Sequence, residues 1–222
     1  MKAIVFDMDG VLFDTEMVCL EGWVAVAEKN HLPNMREVFP KCIGLNNNDC
    51  QAVLQEAYGE KFDYVEFRRQ ASEEFWGYIE RKGLPEKPGV HELLEWLAAS
   101  DYRVALASST KRTSVENCLK RAGIYEYFEV IISGDMVEHS KPEPDIYLLA
   151  CEKLGVAPGE AYAIEDSFNG IRSAYAAGMR PLMVPDMLAP DEEMREKSVE
   201  IFVNLDEVLE YLRVSYKPCC PT

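Results

Sequence analysis

Short apolar runs alternate along this chain with longer stretches in which apolar positions recur at intervals of three and four. Ala3 to Phe6, Val104 to Ala107, Val130 to Ile132, Tyr162 to Ile164 and Leu182 to Val184 are the short runs, each closed by a polar or Gly/Pro-bearing turn. Their length and apolar character predict buried strands. The longer stretches predict helices over His91 to Ala99, Arg112 to Ala122, Asp145 to Leu154, Phe168 to Ala177 and Asp206 to Leu212. Gly123, Gly155 and Gly178 follow the last apolar position of such helices, where a C-terminal cap is expected. Strand and helix in alternation predict βαβ units, hence an α/β fold with a Rossmann-like, doubly wound parallel sheet. Thr15 to about Leu84 departs from this rhythm. Trp23, Val24 and Ala27, then Phe67, Ala71, Phe75, Tyr78 and Ile79, follow the helical period with no strand among them. The segment is expected to be an all-helical cap domain inserted after the first strand. The predicted division is a core of 1–14 and 85–215, a cap of 15–84 and a tail of 216–222, with hinges near Asp14 and Pro85.

Charge and cysteine usage narrow the class. Among 222 residues, 39 acids outnumber 23 bases, for a net charge of -16. So acidic a chain lacks the clustered Lys and Arg that hold nucleic acid. A small phosphate ester remains compatible, because a bound divalent cation reverses the local field. No uncharged apolar run of 18 residues exists, so no membrane span is expected. The opening residues reach Asp7 too soon for a secretory signal, and a cytoplasmic, monomeric protein is expected. The seven cysteines form no Cys-x-x-Cys pair and are expected to be reduced thiols, with Cys219 and Cys220 in the tail.

Four strand ends carry candidate chemistry. The first strand closes in Phe6-Asp7-Met8-Asp9-Gly10, where alternation would put Asp7 and Asp9 on one side. Two neighbouring carboxylates repel unless a cation or a proton intervenes. Ser108-Ser109-Thr110 follows the second strand and precedes a helix whose free amides could hold an anion; a hydroxyl there could equally be an N-cap. Ser140-Lys141-Pro142-Glu143-Pro144 sets one lysine in a stiffened turn, and Glu165-Asp166-Ser167 adds adjacent acids after a fourth strand. Ligands of open α/β sheets bind beyond the carboxyl ends of the strands. Together these ends offer carboxylates, a cation and an anion-binding start, a complementary set for phosphoryl chemistry.

Phe6 to Glu16, Leu106 to Ser109, Ser140 to Asp145 and Ile164 to Ser167, in that order, resemble the haloacid dehalogenase superfamily. Within it they are similar to the β-phosphoglucomutase-like phosphatases and mutases with a helical cap. The resemblance runs from residue 1 to about 213. It implies that Asp7 is the nucleophile and that Asp9 is a general acid and base. It implies Mg²⁺ as cofactor, bound by the carboxylates of Asp7 and Asp166 and the carbonyl of Asp9, with Glu165 orienting a metal-bound water. Ser108, Ser109 and Lys141 would hold the phosphate of a small phosphorylated substrate. Cys19 and Asn47 stand where mutases of the group carry a His and an Arg. That departure favours hydrolysis of a sugar or polyol monophosphate, with a phosphomutase and a non-catalytic binding protein as alternatives. Asn47, in the expected cap loop Gly44 to Asp49, could meet a substrate hydroxyl or simply start a helix. Glu16 could do the same or favour the start of the first cap helix. Lys111 faces either substrate or solvent.

Overall fold

A computed structural model describes residues 1–43, 45 and 47–216. Gly44, Asn46, Cys219, Cys220 and the rest of the tail beyond Tyr216 lie outside the described residues. The chain divides into two compact units, one of Asp14–Pro85 and one of Met1–Phe13 with the chain from Glu86 onward.

The first unit is helical throughout: α1 (Thr15–Lys29), α2 (Met35–Val38), α3 (Asn47–Tyr58) and α4 (Tyr64–Lys82), with a 3-10 turn at Phe39–Cys42. Helix α4 starts on Asp63, whose side chain accepts from the Glu66 amide at 3.0 Å. Trp23 of α1 is buried and meets Phe39 and Phe67 edge-on, with centroids 5.0 and 5.3 Å away. Asn47, Asn48 and Asp49 form the first turn of α3, so the expected loop is shorter than the spacing suggested.

The second unit holds six parallel strands: β1 (Ala3–Phe6), β2 (Arg103–Ser108), β3 (Val130–Ser133), β4 (Ala161–Glu165), β5 (Arg180–Met183) and β6 (Glu200–Ile201). They run in the order β3-β2-β1-β4-β5-β6. The flanking helices are α5 (Val90–Ala98), α6 (Arg112–Arg121), α7 (Asp145–Leu154), α8 (Phe168–Ala176), α9 (Glu192–Lys197) and α10 (Leu205–Ser215). The observed bounds of the predicted elements differ from the pattern-based ones by a few residues at most. β6 and α9 were not expected: two and six residues are too short to display a period. Gly123, Gly155 and Gly178 take φ of 70, 65 and 78°, the left-handed turn their positions predict.

Strand β1 lies between β2 and β4, with Phe6 beside Leu106 and Ile164. The direction of winding therefore reverses at β1, which sets a crevice at the carboxyl end of this strand. Helix α7 packs over β1, β2 and β3, and its Ile146, Ala150, Cys151 and Leu154 share one buried cluster with Ala3, Ala105, Ala107, Ala161 and Ala163. Small strand residues permit that close approach, and with it they place Tyr147, from the first turn of α7, deep under the strand ends. Among the described residues the cysteines are free thiols, and no helix is long and apolar enough to cross a membrane.

Candidate active site

The Asp7 amide extends the ladder one step beyond β1, donating to the Ile164 carbonyl at 2.9 Å. There the strand ends. Met8 to Phe13 folds into a tight loop, with the Gly10 amide on the Phe13 carbonyl at 2.8 Å and the Leu12 amide on the Met8 carbonyl at 2.9 Å. The alternation expected to pair Asp7 with Asp9 stops at Phe6, and the two carboxylates keep different company. Asp9 turns to the end of β2, where its Oδ2 accepts from Thr110 Oγ1 at 2.8 Å and, more weakly, from Ser108 Oγ at 3.5 Å. Ser108 is buried, and its hydroxyl also accepts from the Thr110 amide at 3.1 Å. Ser109 and Lys111 are exposed. The first amide of α6, that of Arg112, donates to Asp135 Oδ1 at 3.0 Å, so this part of the helix start holds the protein's own acid rather than standing open.

Asp7 turns the other way, to Lys141. The ammonium of Lys141 is buried and donates to Asp7 Oδ1 at 2.6 Å, Glu165 Oε1 at 2.6 Å and the Ala107 carbonyl at 3.0 Å. Its turn has a cis Lys141–Pro142 peptide and is tied to α8 by Ser173 Oγ, which donates to the Glu143 carbonyl at 2.6 Å. Glu165, fully buried, is saturated: Oε1 also accepts from Tyr147 Oη at 2.6 Å, and Oε2 takes the Asp166 amide, the Ser167 amide and Ser167 Oγ. These bonds anchor Lys141 and the turn into α8.

Two glycines make room for the acids. A Cβ on Gly170 would overlap the Glu165 carboxyl group, and one on Gly10, at φ 81°, would overlap that of Asp166. Oxygens of Asp7, Glu165 and Asp166 all lie within 4.8 Å of one another. Asp7 and Asp166 are thus close enough to share one ion. The carboxyl groups of these three acids cluster around the one buried Lys141 ammonium, which donates to two of them. Burial pushes the Asp7 carboxyl well above the usual range; Lys141 pulls it down, while Glu165 and Asp9 add to the rise. Burial works to lower Lys141 but is overridden by Asp7 and Glu165, which hold it above the ordinary lysine value and charged. Three clustered carboxyl groups offer the hard oxygen donors that fit a divalent cation such as Mg²⁺.

Asp7, Asp9, Ser108, Lys141, Glu165 and Asp166 thus converge on the carboxyl ends of β1, β2 and β4. Thr110 and Tyr147 belong with them and escaped the sequence reading. Glu16 and Asn47 belong to the helical unit: Glu16 sits in the first turn of α1, and Asn47 opens α3 and accepts from Tyr64 Oη at 3.2 Å.

A family model described as "Haloacid dehalogenase-like hydrolase" matches residues 4–184. A phosphorylated carbohydrates phosphatase of Thermotoga maritima is 33% identical over 214 residues, 96% of this chain and 99% of that protein. A β-phosphoglucomutase of Bacillus subtilis is 29% identical over 96% of this chain and 98% of its own length. The crystal structure of CbbY from Rhodobacter sphaeroides in complex with phosphate superposes with a TM-score of 0.80 at 28% identity, covering 94% of this chain and 96% of that one.

Proposed function

Since this chain belongs to the haloacid dehalogenase-like hydrolase family, we propose that it hydrolyses a small phosphorylated carbohydrate through a phosphorylated Asp7. The observation that carries the reading is the pairing of the buried Asp7 with Lys141, in one cluster with Glu165 and Asp166. Asp7 attacks phosphorus in line and the leaving oxygen departs with a proton from Asp9; water then cleaves the acyl phosphate as Asp9 takes a proton back. Thr110 and Ser108 orient Asp9 for both transfers. Lys141 and Ser108 face the charge that spreads over the phosphoryl oxygens. The carboxylates of Asp7 and Asp166 and the Asp9 carbonyl would hold Mg²⁺, which when bound neutralises charge on the phosphoryl group. Ser109 is assigned with Ser108 and Lys141 to the phosphate, and Glu16, Asn47 and Lys111 to the choice of substrate.

The relative named as a mutase supports a second reading, in which Asp7 returns its phosphoryl group to the sugar. The test is steady-state hydrolysis of an aryl phosphate and of a panel of sugar monophosphates, with and without Mg²⁺. The expected result is release of inorganic phosphate that falls by at least about 10³-fold in Asp7→Asn. An isomerised sugar phosphate without free phosphate would establish the mutase, and binding without turnover a non-catalytic protein.

A further inference from the structure

Lys141 has three protons and gives all three to protein acceptors, so it reaches a phosphoryl oxygen only by turning one of them away. Of its acceptors, Glu165 Oε1 is distinguished by a second strong donor, the Tyr147 hydroxyl at 2.6 Å. Tyr147 is wholly buried, and its ring centroid lies 5.0 Å from the Lys141 ammonium. Burial and the Glu165 charge keep the phenol protonated, so it acts as a neutral donor. Glu165 Oε1 divides its acceptor capacity between these two donors.

We propose that Tyr147 is a positioning residue: its hydroxyl holds Glu165 Oε1 so that the Lys141 ammonium stays divided between Glu165 and Asp7 and free to turn to the transferring phosphoryl group. The inference rests on the phosphatase reading above and deepens it. Without the hydroxyl, Glu165 Oε1 keeps Lys141 as its sole close donor and draws the ammonium away from Asp7. The chemical step suffers, while the ground-state contacts of the substrate remain. The hydroxyl bonds Glu165 and no reacting atom, so its effect, apart from that of the ring beside Lys141, passes through Glu165.

The experiment is a double-mutant cycle in the full chain with Mg²⁺ and an aryl phosphate: wild type, Tyr147→Phe, Glu165→Gln and the double variant. Phe keeps the ring and its packing, and circular dichroism with thermal melts verifies that each variant folds. The expected result is a kcat lower by about tenfold in Tyr147→Phe with KM within about twofold, the size expected for one hydrogen bond to a charged group. In the Glu165→Gln background the same substitution is expected to change kcat by less than about twofold, because the charge it acts on is gone. A folded Tyr147→Phe with unchanged kcat, or an equal tenfold loss in both backgrounds, overturns the positioning role. If Glu165→Gln does not fold, a rise in KM at constant kcat in Tyr147→Phe overturns it, and the kcat loss at constant KM supports it. A wild type that releases no phosphate overturns the phosphatase reading and this inference together. Turnover by wild type with an unaffected Tyr147→Phe removes only the latter.

Discussion

At Lys141 one buried ammonium answers two carboxylates and a carbonyl, so its removal strikes both fold and reaction. Lys141→Ala takes away a preorganised cation worth about 3 kcal/mol of barrier, and kcat is expected to fall roughly 10²-fold in steady-state hydrolysis. It also leaves buried carboxylates without their cation, and urea denaturation is expected to register a loss of about 3–5 kcal/mol. Thr110 offers a finer probe. Thr110→Val keeps the branched shape and deletes the donor to Asp9, for an expected tenfold or so loss in kcat, whereas Thr110→Ser restores the rate to within about twofold. The acids and Ser108 were legible in the sequence because they follow apolar runs at motif positions, and Lys141 because it stands in a Pro-flanked motif turn. Thr110 and Tyr147 were not. A tyrosine in step with Ile146 and Ala150 reads as one more core residue, and only the packing of α7 over the sheet brings its hydroxyl to Glu165.

Gly170 shows how an element is fitted to a side chain. In most helices Gly→Ala is favourable by about 1 kcal/mol. In α8 the added methyl would meet the Glu165 carboxyl group, which already serves Lys141, Tyr147 and the amides of Asp166 and Ser167. Overpacking of this kind costs about 1–3 kcal/mol, so the net sign is reversed. Gly170→Ala is expected to lower the melting temperature and, by displacing Lys141, to reduce kcat about 10²-fold. A more stable variant with full activity would show that the crowding is relieved elsewhere. Elements with clear apolar runs or helical periods were readable from the chain. The end of the first strand was not: the backbone bonds of Met8 to Phe13 bend Asp9 towards β2, and no hydrophobic pattern encodes such a loop.

For the molecule as a whole, the surplus of acids sets the response to cations. A ligand that binds the folded chain alone stabilises it by about 2.7 kcal/mol at a concentration of 100 Kd. Adding Mg²⁺ to the metal-stripped protein is expected to raise the melting temperature by several degrees and to restore activity lost to a chelator. Asp166→Asn, which removes one of the proposed ligands, is expected to abolish the thermal shift at the same Mg²⁺ concentration. A shift of equal size in that variant would mean that magnesium acts through the general charge of -16 rather than through this cluster.

The central place of β1 has a consequence for biosynthesis. Ala3 pairs with Arg103 on one side and with Ala161 on the other, so β1 acquires its earliest neighbour only after 100 further residues have been made. At translation rates of about 5–20 residues per second, this oily tetrapeptide waits some 5–20 s, while the inserted helices emerge, before the sheet can close around it. During that interval the nascent chain carries an unshielded apolar segment, a feature of the kind that holdase chaperones grip.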